Sequence, residues 1–178
     1  MPKGSNSCTR TTPRLTPANW HTTSPPPQLS LEQRNWRATP YWPGERALAS
    51  RAYEDARAHF ERGLDARDIP QSGTEAASDE EAAALLFGLA QAQSATFEGH
   101  QFGEAFAILS RAFEYYAEAG NVVLVVPAAA LPIAVLRFRI PGTAQLIARA
   151  LTLVPVDSHE AGRLHSRYGG VLGVSEGD

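Results

Sequence analysis

The stretch QFGEAFAILSRAFEYYAEAGN, residues 101–121, constrains the fold of this chain more than any other. Phe102, Ala105, Phe106, Leu109, Ala112, Phe113 and Tyr116 recur at steps of three and four. A helix turning about 3.6 residues per turn gathers such positions onto one continuous apolar face. That face must be buried against other elements, and Gly120-Asn121 supplies a stop. The same spacing returns in Tyr53, Ala56, Phe60, Gly63 and Leu64. It returns again in Leu146, Ile147, Ala150, Leu151 and Val154, closed by Pro155. Further helices are expected over about 80–95, 122–138 and 158–174.

The expected fold class is therefore all-α. Three pairs have capping-box spacing: Ser30 with Gln33, Ser78 with Glu81, and Asp157 with Glu160. Asp79, Glu80 and Glu81 sit where a helix N-terminus favours negative charge. VVLVV at 122–126 is the one strand-like run, and with helices on both sides it reads as a buried helix start. Residues 1–29 are rich in Ser, Thr and Pro and lack an apolar period, so they are expected to be disordered. Residues 30–178 are expected to form one helical domain.

The helices repeat a local pattern. Tyr53-Glu54-Asp55-Ala56 matches Phe102-Gly103-Glu104-Ala105: aromatic, any residue, acid, alanine. Four residues beyond each alanine stands a large apolar residue, Phe60 or Leu109, and three further a small one, Gly63 or Ala112. Thr143, Ile147 and Ala150 take these places in a third copy, followed by Pro155. Small residues let helices approach closely, and the large one fills the space between them. The pattern resembles the tetratricopeptide repeat. Gly44, Ala56, Phe60 and Gly63 fit one copy. Gly88, Ala105, Leu109 and Ala112 fit a second, with a longer turn. Ile147, Ala150 and Pro155 fit a third, and Gly170 with Gly177-Asp178 fits half of a fourth. Trp42 is displaced from the family's leading Trp position, and Pro127 and Pro132 interrupt the third copy's first helix. The stretches ERALASRAYEDARAHFERGL, SRAFEYYAEAGN and LVPVDSHEAGRLHSRYGGVLGVSEGD look like the helical-repeat region of large bacterial regulators of the LuxR and signal-transduction ATPase type. The resemblance implies a tetratricopeptide-like α-solenoid of about three and a half antiparallel helix pairs, part of a signalling or transcriptional regulator.

Several chemistries find no support in the residues. A net charge of −3 supplies no overall cationic field for direct nucleic-acid binding. Cys8 is the only cysteine, which rules out an intrachain disulfide and a cysteine-based zinc site. Lys3 is the only lysine, so no phosphate-binding Gly-x4-Gly-Lys loop exists in the chain. His159 and His165 stand six apart, about 600° around a helix, where a metal pair needs four. GGVLG at 169–173 lacks the spacing of a dinucleotide loop and is expected to serve close helix packing. His59 and His100 are expected on a solvated face and in a turn. No catalytic, cofactor or metal residue is expected. Residues 1–20 hold no apolar run, and the run 122–136 is too short and too interrupted to span a bilayer, which takes about 20 residues. The default location is the cytoplasm.

What remains is binding. The resemblance implies a concave face lined by the first helix of each pair, which receives a protein or peptide partner. By that analogy Glu45, Leu48, Leu85, Leu89, Gln93 and Arg167 are the candidates for the face. One alternative is a small-ligand-sensing helical domain with a pocket under the 94–104 turn around Phe97 and Phe102; another is a truncated fragment without independent function. The ending VLGVSEGD reads as a cut at the turn of the fourth pair. The last helix would then keep an uncovered apolar face and self-associate through it.

Overall fold

The computed structural model describes residues 43–96, 101–133 and 140–175. They all belong to the compact unit Thr39–Asp178. The segment 1–29, the pair Ser30 and Gln33, Trp42, Phe97, His100 and Gly177-Asp178 lie outside the described residues. Among the described residues there are seven α-helices and no strand. They are α1 (Pro43–Ala49), α2 (Tyr53–Asp65), α3 (Glu80–Thr96), α4 (Phe102–Glu118), α5 (Val122–Ala129), α6 (Thr143–Leu153) and α7 (His159–Ser175). Each packs on the next in chain order. In addition α1 touches α3, α4 touches α6 and α5 touches α7.

The repeated apolar positions are the core. Ala56, Phe60, Ala105, Leu109, Ala112, Ile147 and Ala150 are all buried. The Phe60 ring lies between two glycines of neighbouring helices. A methyl group built on Gly44 of α1 would meet the ring at 2.7 Å, and one on Gly88 of α3 at 2.3 Å. A methyl on Gly63 of α2 would meet Leu85 of α3 at 2.6 Å. Helices α1, α2 and α3 therefore approach as closely as they do because these three positions carry no side chain.

Three helices end with the same left-handed turn. Residues Arg51, Asp68 and Gly120 have φ of 61°, 53° and 66°. After each, an amide reaches back to the last turn of its helix: Ala52 to the Ala47 carbonyl, Ile69 to Leu64 and Asn121 to Tyr116. These are Schellman-type closures. They turn α1 into α2 and α4 into α5 within three residues.

Helix starts fall one residue later than the capping-box spacing predicts. Before α3 the Ala82 amide donates to Asp79 Oδ1 at 2.9 Å, so Asp79 is the cap and not Ser78. The Ser78 hydroxyl instead donates to Asp79 Oδ2. Before α7 the Ala161 amide donates to the Ser158 hydroxyl at 3.0 Å, so Ser158 caps and not Asp157. Arg67 at the end of α2 pairs with both Asp79 and Glu81. The Ala82 amide first, then Ser78 and Arg67, hold the Asp79 carboxyl below the ordinary 3.8. Its contribution is complete above that unfolded value and is lost as pH falls through the lower folded one.

The expected helix over 122–138 ends early. α5 stops at Ala129, and Ala130–Ile133 are not helical. Pro132 has no amide to offer the Ala128 carbonyl, and its ring disfavours helical backbone at Leu131. Pro127 is tolerated inside the helix at the cost of one bond to Val123. The strand-like Val122–Val126 run is helical, with Leu124, Val125 and Val126 buried.

A buried arginine fixes the long connection from α2 to α3. Arg111 of α4 is 6% exposed. Its Nε donates to the Glu75 carbonyl at 2.8 Å and its Nη1 to the Pro70 carbonyl at 2.6 Å. In return the Ala77 amide donates to the Arg111 carbonyl. The guanidinium thus meets main-chain oxygens of a loop about forty residues earlier in the chain.

Glycine-to-alanine changes should split in sign. Gly88→Ala drives a methyl into the Phe60 ring and should cost about 1–3 kcal/mol. Gly169→Ala meets open space and should add about 0.5–1 kcal/mol by removing helix-interior glycine. Chemical denaturation of both variants checks this, and Phe60→Leu should recover part of the Gly88→Ala loss. Arg111→Lys and Arg111→Ala should both cost roughly 2–3 kcal/mol, because an ammonium cannot reproduce the fork. Hydrogen exchange should show the loss in residues 66–79 first. Asp79→Ala should cost about 1 kcal/mol at neutral pH. That difference should shrink in denaturation curves taken progressively below pH 4, as the native carboxyl takes up its proton.

Candidate interaction groove

α7 carries three stripes, each set by its sequence. Ala161, Leu164 and Val171 are buried, with Tyr168 half-buried beside them. These positions face the core. His159, Arg163 and Arg167 follow at steps of four and form a basic stripe with two guanidinium groups. Gly162, Ser166 and Gly170 run parallel to it as a stripe of small residues. Both outer stripes face a groove of about 650 Å³, whose opposite wall is Ala130 and Pro132 beyond the end of α5. Pocket volumes that hold small ligands or short peptide segments run about 300–1,000 Å³.

Arg167 ties the two walls together. Its Nη2 donates to the Leu131 carbonyl at 3.0 Å and lies 3.3 Å from the Ile133 carbonyl. The Leu131 carbonyl also accepts from the Ile133 amide at 2.8 Å, in the non-helical segment that Pro132 imposes. Burial pulls the Arg167 guanidinium below its ordinary value. Its Nε is buried and makes no hydrogen bond among the described residues. Arg163 is exposed and joins no ion pair there. Among the described residues the groove lining holds two arginines and a histidine and no carboxylate.

The glycines of α7 do not serve helix packing, which corrects the expectation for GGVLG. A methyl on Gly162, Gly169, Gly170 or Gly173 would meet nothing within 4 Å. Gly170 consequently does not repeat the role of Gly44 and Gly88: it sits on the exposed side, one residue from buried Val171. Among the described residues the one exposed large hydrophobic side chain is Val156, in the turn before α7. The exposed positions of α7 through Gly173 are His, Glu, Gly, Arg and Ser.

The six sequence candidates are not gathered in one place. Arg167 lines the groove. Leu85 and Leu89 are 1% and 0% exposed, sealed in the core, and offer nothing to a partner. Gln93 is also buried, and its Oε1 has no hydrogen-bond partner. Leu48 is half-buried against the core. Glu45 is half-exposed on α1, and partial burial raises its carboxyl. Phe102, expected at a ligand pocket, is buried in the core. Arg163 and His159 were not among the candidates. Their step of four with Arg167 is the signal in the sequence that points to them. His159 and His165 are both exposed. Among the described residues no group of three or more His, Cys, Asp or Glu is placed to hold a metal ion.

A scan against protein-family models, a search of curated proteins and a search of solved structures gave no match. No helix among the described residues is long and apolar enough to cross a membrane.

Proposed function

We propose that this chain is a non-catalytic interaction module, built from stacked tetratricopeptide-like helix pairs, that holds an extended segment of a protein partner. The first helices of such pairs would be α1, α3, α5 and α7, which begin at Pro43, Glu80, Val122 and His159. The Phe60 ring between Gly44 and Gly88 supports this reading, since it joins one second helix to the first helices on either side. The binding surface is the groove between α5 and α7, two first helices in succession. The resemblance to bacterial regulators favours a partner in signal transduction or transcription.

The observation that carries the reading is the open glycine wall. Gly162 and Gly170 weaken α7 by roughly 0.5–1 kcal/mol each relative to alanine. Neither is required by any contact among the described residues. Glycine on a groove wall lets an incoming main chain approach closely. Selection of a phage-displayed random peptide library on the full chain tests this. Enriched peptides should bind the chain and lose at least about tenfold in affinity to Gly162→Trp, which fills the groove, a loss of ~1.4 kcal/mol. The melting temperature of that variant should not fall, because the indole enters open space. Peptides that bind Gly162→Trp as well as the parent chain would overturn the groove as the binding surface.

A further inference from the structure

The charge and spacing of the groove define its occupant more narrowly; this step rests on the groove being the binding surface. His159, Arg163 and Arg167 succeed one another at four-residue steps on α7, so their origins are about 6 Å apart along the helix. An extended peptide advances about 3.3 Å per residue and points alternate side chains the same way. Side chains at alternate peptide positions therefore repeat at about 6.6 Å, close to the helix step. We infer that the groove binds an extended acidic peptide segment with carboxylates at alternate positions, lying along α7.

Each part of the groove has a place in this arrangement. The small stripe of Gly162, Ser166 and Gly170 is the floor on which the peptide main chain lies. The basic stripe beside it receives the carboxylates. Arg163 is exposed with its guanidinium uncommitted among the described residues, and a guanidinium matches a carboxylate in a two-point contact. Arg167 has one nitrogen held by the Leu131 carbonyl and a buried Nε that still has no acceptor. Among the described residues the lining offers no carboxylate to neutralise these groups. The field is local, since the chain as a whole carries −3. That overall charge opposes indiscriminate binding of polyanions while the groove admits a short one.

The test uses the full chain and two fluorescein-labelled peptides of one composition. The first alternates, Glu-Ala-Glu-Ala-Glu-Ala-Glu, and the second groups its glutamates, Glu-Glu-Glu-Glu-Ala-Ala-Ala. Fluorescence anisotropy should show the alternating peptide binding several-fold more tightly. Its affinity should fall roughly tenfold with Arg163→Ala, fall with Gly162→Trp, recover in part with Arg163→Lys, and weaken as salt screens the carboxylates. Arg163 is exposed on α7, so loss of folding does not confound the variant. Equal binding of the two peptides would overturn the matched spacing. Absence of binding, or binding that survives both Arg163→Ala and Gly162→Trp, would overturn the acidic occupant. Tighter binding of an oligothymidylate, lost with the same variants, would assign the groove to nucleic acid instead. If the phage selection yields groove-dependent peptides without acidic residues, the interaction module stands and this inference fails.

Discussion

The Phe60 ring held between Gly44 and Gly88 is the contact on which the described fold depends. It is one side chain of α2 that touches α1 on one side and α3 on the other. Both contacts require glycine, since a methyl at either place would sit within 3 Å of ring carbons. The ring thereby fixes the distance between α1 and α3. Gly63 against Leu85 repeats the same logic one turn further along α2. Packed cores respond to a single methylene, so three helices locked in this way leave little freedom for the next. α3 then presents Leu86, Leu89 and Gln93 as buried positions, and α4 closes over α3 with its own stripe of Leu109, Ala112, Phe113 and Tyr116.

Two arginines hold the connections that this packing leaves open, and they do it by the same chemistry. Arg111 and Arg167 each donate to main-chain carbonyls rather than to carboxylates. A loop buried against a helix has carbonyls that water no longer reaches, and a planar fork of donors satisfies several at once. The surroundings then separate the two. Arg111 lies under the 66–79 loop with its charge enclosed by oxygens. Arg167 donates through Nη2 to the short Leu131–Ile133 segment and, half-buried, also lines the groove. An identical anchoring bond is thus wholly structural in one place and leaves a charged surface in the other.

The repeated positions were legible because helical spacing and side-chain volume are both written in the sequence. Ala56, Phe60, Ala105 and Leu109 are buried in the places that the pattern of large and small residues implies. The caps were legible to within one residue: Ser78 and Asp79 both qualify, and it is Asp79 that accepts from the Ala82 amide, with Arg67 of the turn after α2 bonded to its other oxygen. Leu85, Leu89 and Gln93 were misplaced for a physical reason. α3 is apolar nearly all round, and such a helix is enclosed by neighbours on several sides instead of keeping one face free. Only the packing of α2 and α4 around it reveals that. The early end of α5 was signalled by Pro132. What the sequence could not convey was that the freed carbonyls would meet Arg167, thirty-six residues away from Leu131.

The glycines of α7 bring these strands together. In α1, α2 and α3, glycine is required by a neighbouring ring or methyl group, so its entropic cost is returned as packing. In α7 the same residue recurs at 162, 169, 170 and 173 with nothing against it. Four open glycines in one helix destabilise it by about 2–4 kcal/mol relative to alanine. That is a large share of the roughly 5–15 kcal/mol that holds a small domain together. A cost of that size, placed beside an uncommitted Arg163 and a half-satisfied Arg167, is unexplained by stability alone. For Gly162 and Gly170 the proposed ligand would place its main chain where the missing side chains would be. Gly162 and Gly170, which line the groove, then differ in purpose from Gly169 and Gly173, which do not. Alanine at 169 should cost binding nothing, whereas a bulky residue at 162 or 170 should exclude the ligand while leaving the helix more stable than before.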